Sequence, residues 1–304
     1  MGFLVELPQN EFNPHAFTQF APKASFNVGN ALAMAWISQL AYETRLPEKI
    51  CAIGKLWDLS NIRVLRQPVK STLPLSDTRG VIATKENALI VSFSGTDPLS
   101  VFNWASDFYV GQPTADVHEG FLDAAAAVWA EVGAAIEAGM KEKRPLFVVG
   151  HSLGAAIAMA TVDRARAEKG LDTAQVFVFG APRVGRRDFA TRYNGVFGPT
   201  TYRFVHGKDI VPTVAPSDLG FRHVGRYLSC TTGPKFDLTQ LIPGFDSDEP
   251  SSGSGLFSAV SRLQTFFGAS SLTSRVDTLG KLTELLAPSI GDHLPDRYYT
   301  ALTL

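Results

Sequence analysis

The 304-residue chain is predicted to fold as a mainly parallel α/β sheet with helices on both faces. Two observations carry that prediction. The run Phe147-Val148-Val149 is apolar at every position, as a strand buried between two helical layers is, and it passes through Gly150-His151-Ser152-Leu153-Gly154 into the helix-forming Ala155-Ala156-Ile157. Strand-like and helix-like stretches also alternate along much of the chain, which implies right-handed crossovers between parallel strands. With 45% hydrophobic and 11% aromatic residues there is ample material for such a core, and a single domain over 1–304 is expected.

The elements follow in order. After an irregular, Pro-containing start, residues 27–44 read as a helix, because Val28, Leu32, Ala35, Trp36, Leu40 and Ala41 recur at helical spacing. Stretches 62–65, 80–84 and 88–93 are strand-like, the last two joined through Lys85-Glu86-Asn87 as an antiparallel hairpin. One long alanine-rich helix is expected over 120–141, then a buried strand at 146–149, a helix over 155–167, and strands at 175–179 and 201–205. From 231 to 255 the chain is rich in Gly, Pro, Ser, Thr and Asp and reads as a long mobile loop. Two amphipathic stretches come next, one with Leu256, Phe257, Val260, Leu263, Phe266 and Phe267, the other with Leu272, Val276, Leu279, Leu282, Leu285 and Leu286. Residues 231–290 therefore read as a cap-like insertion, which either covers the core or contacts lipid or an acyl chain.

Charge and composition exclude several functions. With 28 basic against 29 acidic residues and no long run of either sign, nothing suggests a nucleic-acid surface or docking to acidic lipid, and a neutral or apolar substrate is expected. No Cys/His cluster at metal-ligand spacing, phosphate loop or dinucleotide fingerprint is present, so neither a metal nor a cofactor is expected. No apolar run approaches the length of a membrane span. Residues 1–8 lack a basic region followed by a long apolar stretch, so no standard signal peptide is read, and a cytoplasmic location or secretion by a non-standard route is expected. Cys51 and Cys230, the only cysteines, are expected to be free thiols.

The chemistry lies in Gly150-His151-Ser152-Leu153-Gly154, a G-x-S-x-G between a strand and a helix. A serine hydroxyl is a poor nucleophile at neutral pH, so a fold that uses one must expose it, set a base beside it and supply donors for the oxyanion formed on attack. The sharp turn strains the serine backbone, and glycines at 150 and 154 remove the Cβ atoms that would clash there. The N-terminus of the following helix points its free N–H groups at the reaction centre, which makes the Leu153 N–H a candidate oxyanion donor. In this arrangement an acid and then a base follow the serine along the chain. Asp209, in the loop after the strand-like Tyr202-Arg203-Phe204-Val205, is the candidate acid, a turn or capping aspartate being the alternative. Asp163, Asp172 and Asp188 sit worse, on helix, loop and helix-start positions. His293, on a loop near the C-terminus, is the candidate base; His206 precedes the acid, and His223 in Phe221-Arg222-His223-Val224 reads as structural.

These segments together resemble the class 3 lipase family. Val91-Ser92-Phe93-Ser94-Gly95-Thr96 is similar to its oxyanion segment F-R-G-[ST], Asn103-Trp104 to the N-W that follows, and His118-Glu119-Gly120-Phe121 to H-x-G-F. Gly150 to Gly154 resembles G-H-S-L-G, Gly180-Ala181-Pro182-Arg183-Val184-Gly185 resembles G-x-P-R-V-G, and Asp209-Ile210-Val211-Pro212 and Asp292-His293 resemble the segments of the acid and base. The resemblance implies an α/β-hydrolase fold with Ser152 as nucleophile, Asp209 orienting the imidazole and His293 as general base and then acid. It adds Thr96 as second oxyanion donor and places a lid over 97–108, a stretch that from its residues alone reads equally well as a surface helix. It implies a triacylglycerol lipase working through an acyl-enzyme on a neutral lipid or ester, with transient contact at a lipid–water interface. A short-chain or feruloyl-type carboxylesterase is the alternative on the same scaffold, and a non-catalytic binding module a remote third. Two departures stand out: the family's Arg is Ser94 here, and the stretch between Asp209 and His293 is long.

Overall fold

The computed structural model describes residues 5–23, 25–70, 75–96, 115–215, 217–230, 235–237, 242–243 and 291–303. The expected lid, 97–108, and nearly all of 231–290 lie outside the described residues. Helices α1 (Val28–Leu40) and α2 (Pro47–Leu56) open the chain, followed by strands β1 (Ser60–Pro68), β2 (Asp77–Lys85) and β3 (Ala88–Phe93). Next come α3 (Glu119–Ala127), α4 (Trp129–Lys141), β4 (Leu146–His151), α5 (Leu153–Lys169) and β5 (Gln175–Phe179). The remainder is β6 (Gly185–Arg186), α6 (Arg187–Val196), β7 (Thr201–His206), β8 (Phe221–Arg222), β9 (Arg226–Cys230), β10 (Ile242–Pro243) and α7 (Pro295–Leu302).

The main sheet runs β1-β2-β3-β4-β5-β7-β9-β10. β1, β2 and β3 pair antiparallel, β3 through β9 pair parallel, and β10 returns antiparallel on β9. Successive side chains on β4 and β5 point to opposite faces, yet both faces are dry. Val148, Val176 and Val178 pack towards α3, α4 and α5, whereas Phe147, Val149, Phe177 and Phe179 pack towards α1, α7 and the N-terminal segment. A strand covered on both sides needs apolar residues throughout, which is why β3, β4 and β5 read as unbroken hydrophobic runs.

The sequence expectations for β3 and β5 agree with the structure to the residue. Two others are corrected. The single helix over 120–141 is two helices meeting at Val128, whose backbone (φ −106°, ψ 3°) leaves the helical range. The carbonyl of Ala124, which Val128 would use to continue the helix, accepts the Thr78 hydroxyl at 2.8 Å, and the Val128 N–H turns to Ala126 instead. Within the loop expected over 231–255, Ile242 and Pro243 pair with Tyr227 and Arg226 as an edge strand. Cys51 and Cys230 are both free thiols, as expected.

Candidate active site

Every parallel strand from β3 to β7 contributes to one spot at the carboxyl edge of the sheet, where α/β folds place their ligands. After β4 the chain turns at Ser152, whose φ of 59° and ψ of −128° lie outside the regions open to ordinary residues. The Ser152 N–H donates to the Phe179 carbonyl at 2.9 Å, extending the ladder between β4 and β5 by one rung and fixing the elbow. The turn requires glycine on both sides: a Cβ on Gly150 would sit 2.1 Å from the Gly154 carbonyl oxygen, and one on Gly154 would sit 2.3 Å from the Phe93 carbonyl oxygen. Leu153 is the first residue of α5, so its N–H has no acceptor within the helix.

Asp209 and His293, far apart along the chain, meet here. His293 Nδ1 lies 2.8 Å from Asp209 Oδ2, with both side chains buried. The Asp209 carboxylate also accepts the Val211 N–H at 2.9 Å through Oδ1 and the Tyr298 hydroxyl through Oδ2. Burial, and then the charge of Asp209, pushes the Tyr298 phenol well above its ordinary range, so it remains a donor to the carboxylate. Gly180 makes the meeting possible. Its φ is 56°, and a Cβ there would stand 2.7 Å from Asp209 Oδ2 and 2.9 Å from His293 Nδ1. The neighbouring Asp292 clasps the two loops together: it accepts the Lys208 N–H at 2.8 Å, and its other oxygen lies 3.3 Å from His206 Nδ1. Burial would raise the Asp292 carboxyl, but His206 and the Lys208 N–H outweigh it and hold the group below the usual carboxylate range.

His151, the second residue of the elbow motif, forms a further layer. Its Nε2 is 2.7 Å from the His293 backbone oxygen and its Nδ1 is 2.7 Å from the Tyr42 hydroxyl. A carbonyl oxygen can only accept, so Nε2 carries the proton and Nδ1 accepts from Tyr42. Burial, and then the nearby charge of His293, lowers the His151 pKa well below the ordinary value, which keeps this imidazole neutral beside the base. The two rings lie 4.7 Å apart between centroids. On the other side of the elbow, Gly95 leaves space that a Cβ would fill, 2.4 Å from the Tyr42 hydroxyl and 2.9 Å from Ser152 Cβ.

Ser152 Oγ, Thr96 Oγ1 and His293 Nε2 are among the buried polar atoms that have no hydrogen-bond partner in the described residues. They belong to the three segments that the Gly95, His151 and Gly180 contacts bring side by side. Ser94, in the position of the family's Arg, instead extends the β3 pairing, its N–H donating to the Arg79 carbonyl at 3.0 Å. His223, expected from the sequence to be structural, donates through Nε2 to the Pro212 carbonyl at 3.0 Å. Sequence reasoning missed Tyr42, His151 and Tyr298 as members of the site. Only His151 carried a signal, its place within the elbow motif.

A strained serine between strand and helix, with a buried Asp–His pair at the same sheet edge, defines an α/β-hydrolase fold holding a Ser–His–Asp constellation. Residues 90–219 match the family model for lipase (class 3). The chain is 36% identical over 167 residues to the secreted mono- and diacylglycerol lipase 1 of Fusarium solani, a match covering 51% of this chain and 48% of that relative, so it spans about half of the relative's length. A fungal lipase solved with an inhibitor superposes with a TM-score of 0.58 at 22% identity, covering 88% of this chain and 96% of the other. A triacylglycerol lipase described as having a serine-protease triad as its catalytic centre superposes with a TM-score of 0.52 at 28% identity, covering 68% and 82%.

These comparisons correct one expectation. A cytoplasmic location or non-standard secretion does not stand, because the Fusarium solani relative is a secreted lipase. That expectation rested on the composition of eight terminal residues, which carry no information on the compartment comparable to similarity over half the chain. No helix among the described residues is long and apolar enough to cross a membrane.

Proposed function

We propose that the protein is a serine carboxylic ester hydrolase acting as a lipase on acylglycerols. The observation that carries this reading is the buried Asp209–His293 pair at 2.8 Å, set at the sheet edge where Ser152 is presented with a free Oγ. The relatives' names, mono- and diacylglycerol lipase and triacylglycerol lipase, support the choice of substrate class.

In this mechanism His293 Nε2 takes the proton of Ser152 Oγ as the oxygen attacks the ester carbonyl, and Asp209 holds the imidazole with Nε2 free and stabilises the imidazolium that results. The oxyanion is bound by the N–H groups of Leu153 and Thr96, with the Thr96 hydroxyl assisting. Collapse breaks the carbonyl–alkoxy bond, His293 returns the proton to the departing alcohol, and the acyl group remains on Ser152. Water, deprotonated by His293, then attacks the acyl carbon, the bond to Ser152 Oγ breaks, and His293 returns the proton to Oγ as the fatty acid leaves. Each CH₂ of an acyl chain buried in the site contributes about 0.8 kcal/mol to binding, and the 97–108 stretch is the proposed lid at a lipid–water interface.

Ser152→Ala tests the assignment: hydrolysis of a p-nitrophenyl ester is lost while the circular-dichroism spectrum and melting temperature persist. Near-normal turnover by that variant overturns it. A profile of acyl-chain length above and below substrate solubility tests the lipase reading, since an esterase shows no rate rise at the interface.

A further inference from the structure

Tyr42 and His151 touch three parts of the site without belonging to the triad. The Tyr42 hydroxyl sits over Gly95, in the segment leading to Thr96, where a Cβ would approach it to 2.4 Å. Its proton is committed to His151 Nδ1 at 2.7 Å. His151 precedes Ser152, and its Nε2–H holds the backbone oxygen of His293 at 2.7 Å. Both side chains are buried. One chain of two hydrogen bonds thus ties the end of the first helical segment to the oxyanion loop, the elbow and the loop of the base.

From this we infer that Tyr42 and His151 are positioning residues that set His293 Nε2 against Ser152 Oγ by holding the His293 main chain. Asp209 fixes the far nitrogen of the His293 ring but not where the ring's backbone stands, and a carboxylate alone allows the imidazole to swing about that bond. The His151 bond to the His293 carbonyl removes the swing. Its direction is set by Tyr42, whose donation to Nδ1 requires the tautomer with the proton on Nε2. The neutrality of His151 is part of the device, since a charged ring facing His293 would oppose the imidazolium formed during acylation.

The role rests on ester hydrolysis at Ser152, and the test separates the two. Sites are counted with a phosphonate that labels the nucleophilic serine, and kcat is expressed per labelled site on a soluble short-chain ester. Tyr42→Phe removes only the hydroxyl and lowers kcat about five- to tenfold, the worth of one hydrogen bond, with KM unchanged. His151→Leu lowers it further, His151→Gln, which keeps an N–H donor, recovers part of the loss, and Tyr42→Phe adds nothing in the His151→Leu background. A merely structural role predicts fewer labelled sites and a lower melting temperature with kcat per site unchanged, and that result overturns the assignment, as do additive effects in the double variant. If Ser152→Ala is inactive and Tyr42→Phe turns over normally per site, only this role falls; if Ser152→Ala retains turnover, ester hydrolysis at Ser152 falls first.

Discussion

Gly180→Ala probes the site without altering any of its reacting groups. Two costs arise, and the structure separates them. The backbone at Gly180 has a φ of 56°, a left-handed conformation that costs an L-residue about 1–2 kcal/mol. The added Cβ would also lie 2.7 Å from Asp209 Oδ2 and 2.9 Å from His293 Nδ1, closer than the 3.4 Å at which ordinary contact begins. The Asp209–His293 pair must therefore retreat or separate by roughly half an ångström or more, and misplacement on the order of 1 Å costs about a hundredfold in rate. Gly170 supplies the control: its φ is 71°, but a Cβ there meets nothing within 4 Å. Gly170→Ala loses the same ~1–2 kcal/mol by urea unfolding and keeps its kcat, whereas Gly180→Ala loses about a hundredfold in kcat on a soluble p-nitrophenyl ester, normalised to labelled serine. If Gly180→Ala keeps kcat within about threefold of the parent while Gly170→Ala behaves as stated, the Asp209–His293 contact does not govern the chemistry.

Tyr298→Phe removes a donor to the Asp209 carboxylate and leaves the His206 N–H, now 3.3 Å from that hydroxyl, without its acceptor. It costs about 1.5–3 kcal/mol in urea unfolding, as hydrogen bonds to charged groups do, and unchanged stability refutes the role given to the phenol. His223→Ala removes the support of the Pro212 carbonyl and lowers stability by about 1–3 kcal/mol while leaving kcat per labelled site unaltered; a loss of kcat of two orders of magnitude would move the base to His223. Burial lowers His118 from 6.5 to about 4, so the folded state disfavours its protonation. Its unfolded imidazole takes a proton near 6.5 and its folded one near 4, so the stability present above 6.5 is lost as pH falls across that window. Melting temperature against pH shows this decline, and His118→Gln flattens it; an unchanged slope refutes the assignment.

The legible parts of the sequence were those in which one local pattern decides the outcome. β3, β5 and the elbow could be read because doubly covered strands must be apolar throughout and because only glycine fits at positions 150 and 154. Ser152, Asp209 and His293 followed from motif and chain order. The helix α2 was missed because it is short, and the break at Val128 because its cause is the Thr78 hydroxyl from a distant strand. Tyr42, His151 and Tyr298 earn their places through contacts to residues 89 to 142 positions away, which no local spacing encodes.

The Asp292 clasp bears on how such a site can be re-engineered. Because Asp292 grips the Lys208 N–H, and Gly207 at a φ of 53° leaves room for the carboxylate, the two ends of the chain between acid and base are pinned side by side whatever lies between them. The geometry of the pair is thereby uncoupled from the length of that connection. Loop closure grows only logarithmically with length, about 0.6 kcal/mol per doubling, so the connection can be exchanged or enlarged at little thermodynamic cost. The connection that follows β9 can therefore change in length while the Asp209–His293 pair keeps its geometry.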